Sequence, residues 1–463
     1  MANTFSGLDM TSARTTRARR HLGVAALGAT LLLSACDAML RANDPDIVTS
    51  ATSPAGAIAL KNGVISRLNA ATVGVQGPDG IFLFGGLLAD EWRSGDTFEQ
   101  RNTADARTVD PTNSFLAEPF RNLNRTRVEG RDAINALRTY SPAPLSNVAL
   151  MFALTAYAEN QIGETWCNGI PFSDVVGGVI VFGNPVSVDS AFKRAINSAD
   201  SALVNNGGAA ADVARMANLA SIVKARALVN RGQFAAAATA VAAVPTSYTY
   251  TTTFSLGTRD NQNWALGISV GRYVVPDVEG INGMPWISAA DPRVPTKNQN
   301  RNAFDSTTPW FATTLWARSD SVMLASGIEA RLIEAEAALQ AGDAATFMAK
   351  LNAARATHLD TVRVLPCPCR DLPDLADPGT TVARQDLLFR ERAFWMFGTG
   401  HRLGDLRRLV RQYGRPSETV YPTGVFPKGG NYGPDLNLPV SFTELNNPNI
   451  PQGLTTTCTD RGA

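Results

Sequence analysis

The side chains able to make or break bonds are few in this chain, and poorly spaced for it. There are three histidines, His21, His358 and His401, and five cysteines, Cys36, Cys167, Cys367, Cys369 and Cys458. Cys367 with His358 is the nearest approach to a nucleophile and base, yet a Cys-Pro-Cys setting suits a bridged or structural thiol better. No C-x-x-C pair is present, so a thiolate metal site lacks ligands. Asp90-Glu91 sets two carboxylates side by side. Hydrolysis by a carboxyl pair needs the two groups facing each other across a cleft, and helix neighbours point apart. Asp90-Glu91-Trp92 therefore reads as a solvated helix end. No G-x-S-x-G elbow, phosphate-binding loop or H-E-x-x-H pair occurs. The expectation is a protein without catalysis, cofactor or metal.

Binding is better served. Four of the seven tryptophans, Trp264, Trp286, Trp310 and Trp316, fall between Pro245 and Arg318, in a stretch rich in Asn, Gly and Pro. Long loops within a compact chain are functional or disordered, and tryptophans argue for order. Thr246 to Ser255 alternates Tyr and Thr in the manner of a strand. We read residues 246–318 as an ordered, loop-rich lobe inserted between helices. Flat aromatic rings can stack on sugar rings while Asn, Asp and Arg pair with hydroxyls. The candidate ligand-binding residues are Trp264, Tyr273, Trp286 and Trp310.

The amino terminus carries a different kind of information. A basic region ending at Arg20-His21 precedes the apolar run Leu22 to Leu33, which is too short to span a bilayer. Leu33-Ser34-Ala35-Cys36 has the form of a lipobox, in which Cys36 is acylated after cleavage. Residues 1–35 are thus expected to be a lipoprotein signal peptide, 36–50 a lipid-anchored tether and 51–463 a single helical domain. No later stretch approaches the roughly 18 apolar residues of a membrane span. The formal charge of +1 gives no electrostatic ground for a nucleic-acid partner. An exported domain offers its thiols an oxidising setting. Neighbours as close as Cys367 and Cys369 cannot easily bridge each other, so one of them is expected to reach Cys458 or Cys167.

Helical periodicity accounts for most of the rest. Apolar residues repeat at helical spacing over 55–71, 82–92, 113–139, 146–161 and 190–205, with Ser146 placed as an N-cap. The Ala-rich segments 214–244, broken at Gly232, and 328–355, broken at Gly342-Asp343, read as helix hairpins whose small residues allow close approach. They resemble tetratricopeptide-type repeats. The fold class is mainly α, a tetratricopeptide-like hairpin array with an inserted irregular lobe. Near the end, Phe389, Ala393 and Phe397 define one helical face, and Leu403, Leu406 and Leu409 define another beyond a Gly-x-Gly corner. Trp395 is placed in the core, and Arg402 is expected to pair with Asp405 inside the corner.

That corner resembles the C-terminal signature of the SusD/RagB-like lipoproteins, roughly E-R-x-x-E-L-x-x-E-G-x-R-x-x-D-L-R-R. Glu391, Arg392, Met396 (for Leu), Gly400, Arg402, Asp405, Leu406, Arg407 and Arg408 match, while Trp395 and Thr399 stand where the family commonly has Glu. Ala290-Asp291-Pro292-Arg293 and the turn Gly169-Ile170-Pro171-Phe172 are also similar to family elements. Leu438 to Ile450 resembles the family's terminal element, with Ser441 in place of its second proline, and reads as a turn closing the chain on the helices. The resemblance implies a surface-exposed outer-membrane lipoprotein that captures an oligosaccharide or other nutrient and passes it to a TonB-dependent transporter. It supplies no ligand contacts, because those lie outside the matching motifs. The competing reading is a helical-repeat envelope scaffold that binds protein partners.

Overall fold

The computed structural model describes residues 51–75, 79–257, 259–357 and 372–463. The expected signal segment, Cys36 and the tether lie outside the described residues, as do His358, Cys367 and Cys369. The helical array is α1 (Pro54–Thr72), α2 (Ile81–Leu88), α3 (Glu99–Asp105), α4 (Ala117–Tyr140), α5 (Ser146–Thr165), α6 (Val188–Val204), α7 (Ala210–Asn230), α8 (Phe234–Val241), α9 (Gly327–Gln340), α10 (Ala344–Arg355), α11 (Thr381–Trp395) and α12 (Arg402–Arg411). The two predicted hairpins are α7/α8 and α9/α10, turning at Gly232 and at Gly342-Asp343. Asp343 is the cap expected of it, accepting from the Thr346 amide at 2.9 Å. Ser53, Ser187, Ser326 and Thr380 cap α1, α6, α9 and α11 in the same way. Ser146 does not: it is the first helical residue, preceded by Leu145, and no side chain caps α5.

The close approach has a visible cause. On α6, Ala191, Ala195 and Ala199 recur every four residues and are wholly buried, giving α5 a groove of methyls to pack against. From Ala153 to Thr165 every residue of α5 is buried, so α5 is the central helix, touched by α4, α6 and α7. Helix α3 carries no strong apolar period, and sequence periodicity misses it.

Among the described residues ten short strands pair two by two: β1 (Arg93–Ser94) with β7 (Tyr273–Val274), β2 (Ile170–Pro171) with β5 (Pro185–Val186), β3 (Asp174–Val176) with β4 (Val179–Val181), β6 (Thr249–Thr252) with β10 (Val322–Ser326), and β8 (Thr296–Asn302) with β9 (Pro309–Thr313). All five pairs are antiparallel. The strand expected at 246–255 is β6, and β10 returns beside it to lead into α9. The lobe between them is stitched to the helices through β1–β7 and through Trp286, whose ring meets Phe394 and Phe397 edge-on at 5.2 and 4.9 Å.

The α11/α12 corner is the ionic centre of the core. Gly400 turns it with φ +76°, and a Cβ there would lie 2.3 Å from Phe82, so both backbone sign and space demand glycine. Asp405 accepts from Arg392 and Arg408, both at 2.8 Å. Arg402 instead grips Asp90 at 2.8 and 3.2 Å, which corrects the expected Arg402–Asp405 pair. The same bond overturns the solvated reading of Asp90-Glu91. Both acids are buried, Asp90 held by Arg402 and by the Met284 amide, Glu91 by the Gly398 amide at 2.8 Å. Burial pushes the Glu91 carboxyl up to about 8, against the pull of that amide and of Arg402. Arg407 donates to the carbonyls of Gly163, Glu164 and Trp166 and so caps the end of α5. Arg293, from the Ala-Asp-Pro-Arg turn, meets Glu391 at 2.6 Å, and Arg355 joins at 2.8 Å. Trp395 is buried, as expected.

The terminal element closes the chain on this core. Leu438 donates to the Thr165 carbonyl at 2.9 Å, Cys167 to the Leu438 carbonyl at 3.0 Å, and Leu438 and Val440 are buried. Cys167 and Cys458 are disulfide-bonded across 291 residues of sequence, with Cα atoms 5.7 Å apart. This corrects the expectation that Cys367 or Cys369 would take one of them. The physical reason is that the tail returns to the end of α5, where Thr459 donates to the Asn168 carbonyl at 2.9 Å.

Candidate functional site

An open cleft of about 430 Å³ lies where three segments distant in sequence converge. Arg93 and Asp96 come from β1 and the turn after it, Asp305, Thr307, Thr308 and Pro309 from the β8–β9 turn, and Pro427 and Lys428 from the loop that follows α12. Each wall has a local reason for its shape. Asp305 accepts from the Thr307 and Thr308 amides at 2.9 and 2.8 Å and from the Thr308 hydroxyl at 2.6 Å, which winds the turn around its carboxylate. The turn is fixed to the first segment by the Asp305 amide, donating to the Gly95 carbonyl at 2.8 Å. A Cβ at Gly95 would lie 2.6 Å from the Gly271 carbonyl, so only glycine admits that approach.

Lys428 ties the three segments together. Its ammonium meets Asp305 at 2.8 Å, the Asp96 carbonyl at 2.7 Å and Asn102 at 2.9 Å, which uses all three of its donors. Burial opposes ionisation of Asp305, but Lys428 and the Thr308 hydroxyl outweigh it and hold the carboxyl well below the usual range. At Asp96 burial is likewise outweighed, by Arg272 at 2.8 and 2.9 Å and by Arg101, and this carboxyl too is held low. Behind the wall, burial and the charge of Glu279 push Asp105 far above the carboxylate range, and burial raises Glu279 as well. Arg93 reaches Glu279 through Nε at 2.8 Å. Among the described residues this is the one hydrogen bond its guanidinium makes, so its terminal N–H groups are left for a ligand.

Two exposed rings adjoin residues that line the cleft. Phe304 (44% exposed) precedes Asp305, and Phe98 (46% exposed) donates its amide to Asp96 at 3.3 Å. The Arg272 guanidinium lies over both, 3.7 Å from the Phe304 centroid and 5.0 Å from that of Phe98. The site therefore offers flat apolar rings beside spare N–H and hydroxyl donors. That is the equipment for holding a polyhydroxylated, partly apolar ligand. The described histidine, His401, is buried in the corner against Thr399 at 2.9 Å. Among the described residues no group of three or more His, Cys, Asp or Glu could hold a metal ion, and no helix is long and apolar enough to cross a membrane.

The four rings singled out from the sequence are placed differently. Tyr273 is buried, its hydroxyl bonded to Asp79 and its face under Arg101. Trp286 is buried with its N–H on the Asp90 carbonyl at 2.7 Å. Trp310 is 3% exposed, donates to the Gly267 carbonyl at 3.2 Å and is covered by Arg301. These three are interior residues of the lobe and present no free face to a ligand. Trp264 is half-buried, with the Arg318 guanidinium 6.0 Å from its ring, and keeps some exposed surface. Phe98, Phe304, Arg93 and Lys428 were not identified from the sequence. Only Asp305-Ser306-Thr307-Thr308 carried a signal, as a turn.

The architecture has known counterparts. Neither a family model nor a curated relative matches the sequence. Among solved structures, a SusD superfamily protein from Bacteroides fragilis aligns over 87% of this chain and 99% of its own, with a TM-score of 0.60 at 15% identity. The chain has the SusD-like fold. The surface glycan-binding protein A of Bacteroides thetaiotaomicron, solved in complex with laminarihexaose, aligns over 85% of this chain and 98% of its own, with a TM-score of 0.57 at 11% identity. A SusD-like carbohydrate-binding protein from Bacteroides vulgatus covers 76% of this chain and 83% of its own, with a TM-score of 0.53 at 12% identity. The expected helical-repeat architecture is thus the observed one.

Proposed function

We propose that this protein is a surface lipoprotein that binds a nutrient glycan and hands it to a TonB-dependent outer-membrane transporter, without bond chemistry. The observation that carries the reading is the cleft itself: Arg93 and Thr307 line it, and Phe98 and Phe304 stand exposed next to its residues Asp96 and Asp305, on a fold that solved carbohydrate-binding proteins share. Ring faces stack on the C–H faces of sugars while the donors select hydroxyl positions. Delivery needs only binding coupled to movement between two states of the assembly. The lipobox at Cys36 supports attachment to the outer membrane, and the SusD-like fold supports a transporter partner. Trp264 is kept as a further contact residue because its ring is accessible in part.

The test has two arms. Purified protein is titrated with a panel of oligosaccharides by calorimetry, for the wild type and for Phe98→Ala/Phe304→Ala. Saturable binding that weakens in the double variant supports the cleft, and the absence of binding across the panel counts against a glycan. Affinity capture from solubilised membranes is the second arm, where recovery without a large β-barrel protein would sink the transporter partnership. New reducing ends on incubation with polysaccharide would overturn the non-catalytic reading.

A further inference from the structure

Between α5 and α6 the β3–β4 hairpin exposes apolar side chains that the cleft does not use. Val179 is 66% exposed and Val176 59%, and Ile180, Val181 and Phe182 are also exposed. From Val175 to Gly183 the chain has no polar side chain. Successive residues of a strand point to opposite faces. Exposure of Val179, Ile180 and Val181 in a row therefore means that both faces of the ribbon are apolar and wet. A protein surface laid against one face would leave the other in water, whereas a lipid surface closes around both.

The hairpin is also built to project. Its base is clamped: Arg131 donates to Asp174 and to the Val175 carbonyl, Asn449 to the Phe182 carbonyl at 2.7 Å, and Asn447 to the Gly183 carbonyl at 2.7 Å. The tip, Gly177-Gly178, has nothing within 4 Å of where a Cβ would stand. Three residues per strand plus the tip reach about 10 Å, the depth to which interfacial elements sink among headgroups. At that depth the unpaired strand edges stay hydrated, which hydrocarbon would forbid. The base is polar and balanced in charge: Arg131 meets Asp174 and Asp132, Lys193 meets Asp189, and Arg194 stands exposed over the Phe172 ring at 4.9 Å, so basic groups are at hand for headgroup phosphates.

We propose that the β3–β4 hairpin dips into the headgroup layer of a phospholipid membrane and fixes the tilt of the domain on it, independently of any acyl anchor. The inference does not rest on glycan binding. To test it, vesicles of phosphatidylethanolamine and phosphatidylglycerol are titrated into the purified full chain while amide hydrogen exchange is read by mass spectrometry. Exchange across 175–183 is expected to slow by about tenfold or more, with the β8–β9 turn unchanged as internal control. Val179→Ser/Ile180→Ser should abolish the slowing and leave the melting temperature as it was, since neither side chain is packed. Equal exchange with and without vesicles overturns the proposal. So does slowing that needs an added envelope protein, which would assign the hairpin to a protein groove.

Discussion

Removing the Glu391 carboxylate separates a structural corner from a ligand site. Glu391 is 2% exposed and receives Arg293 at 2.6 and 3.1 Å and Arg355 at 2.8 Å. Glu391→Ala leaves two buried guanidiniums short of a counter-charge, and breaking a buried ion pair from one side costs about 3–5 kcal/mol. Two compensations place this case at the low end. Arg293 keeps Asp291 at 2.7 Å, and Arg355 keeps the Pro373 carbonyl at 2.7 Å. With roughly 2.1 cal/mol/K of unfolding entropy per residue over a domain of roughly 400 residues, a cost of about 3 kcal/mol lowers the melting temperature by about 3–4 °C. Differential scanning calorimetry at pH 7 reads this directly, with Asp343→Ala, a lost helix cap worth about 1 kcal/mol, as the scale marker. Oligosaccharide affinity should stay within about twofold, because Glu391 faces the core and not the cleft. A melting temperature within 1 °C of wild type, or lost affinity at an unchanged melting temperature, would refute the assignment of the corner to packing.

The remaining expectations concern the site, pH and the tail. Phe304→Ala should weaken ligand binding by about tenfold, the worth of one stacked ring, while the lost contact with Arg272, about 0.5–1 kcal/mol, lowers the melting temperature by only about 1 °C, as checked by calorimetric titration and thermal scans. Glu91 has a folded value of about 8, above its ordinary 4.5. Below 4.5 both states carry the proton; between 4.5 and 8 only the folded state does, so stability falls as pH rises through that window and the loss is complete above it. Glu91→Gln should flatten that slope in urea unfolding at pH 5, 7 and 9, and parallel profiles for the two proteins would argue that Glu91 titrates normally. Cys167→Ser should cost about 2–5 kcal/mol and free the terminal element, seen as faster amide exchange at residues 436–460.

Local features were legible from the sequence where a residue's environment is set by its own helix. Ala225 and Ala335 announced close helix packing, Gly342-Asp343 announced a turn and cap, and Gly400 announced a corner. Failures came where the deciding neighbour is remote. Nothing near Asp90 reveals that Arg402, 312 positions away, will neutralise it, so an acidic pair beside a helix read as solvated. Aromatic count misled in the lobe for a related reason. Trp286 and Trp310 each find a backbone carbonyl for their N–H and can be buried whole, while the exposed rings are phenylalanines with no polar atom to advertise them. Nor could the cleft be read locally, since Lys428 reaches back to Asp96 across 332 residues.

The bond between Cys167 and Cys458 closes the larger part of the described domain into a covalent ring. Helices α6 to α12 and the lobe all lie on the loop it closes, while α1 to α5 lie outside. A pull applied at Cys458 is therefore felt first at the end of α5, whose second half is wholly buried, and not at α12 or the loop behind it. Force or proteolytic nicking in the last segments would leave the severed pieces attached at the centre of the molecule, and a chain cut between the two cysteines would still migrate as one piece until reduced.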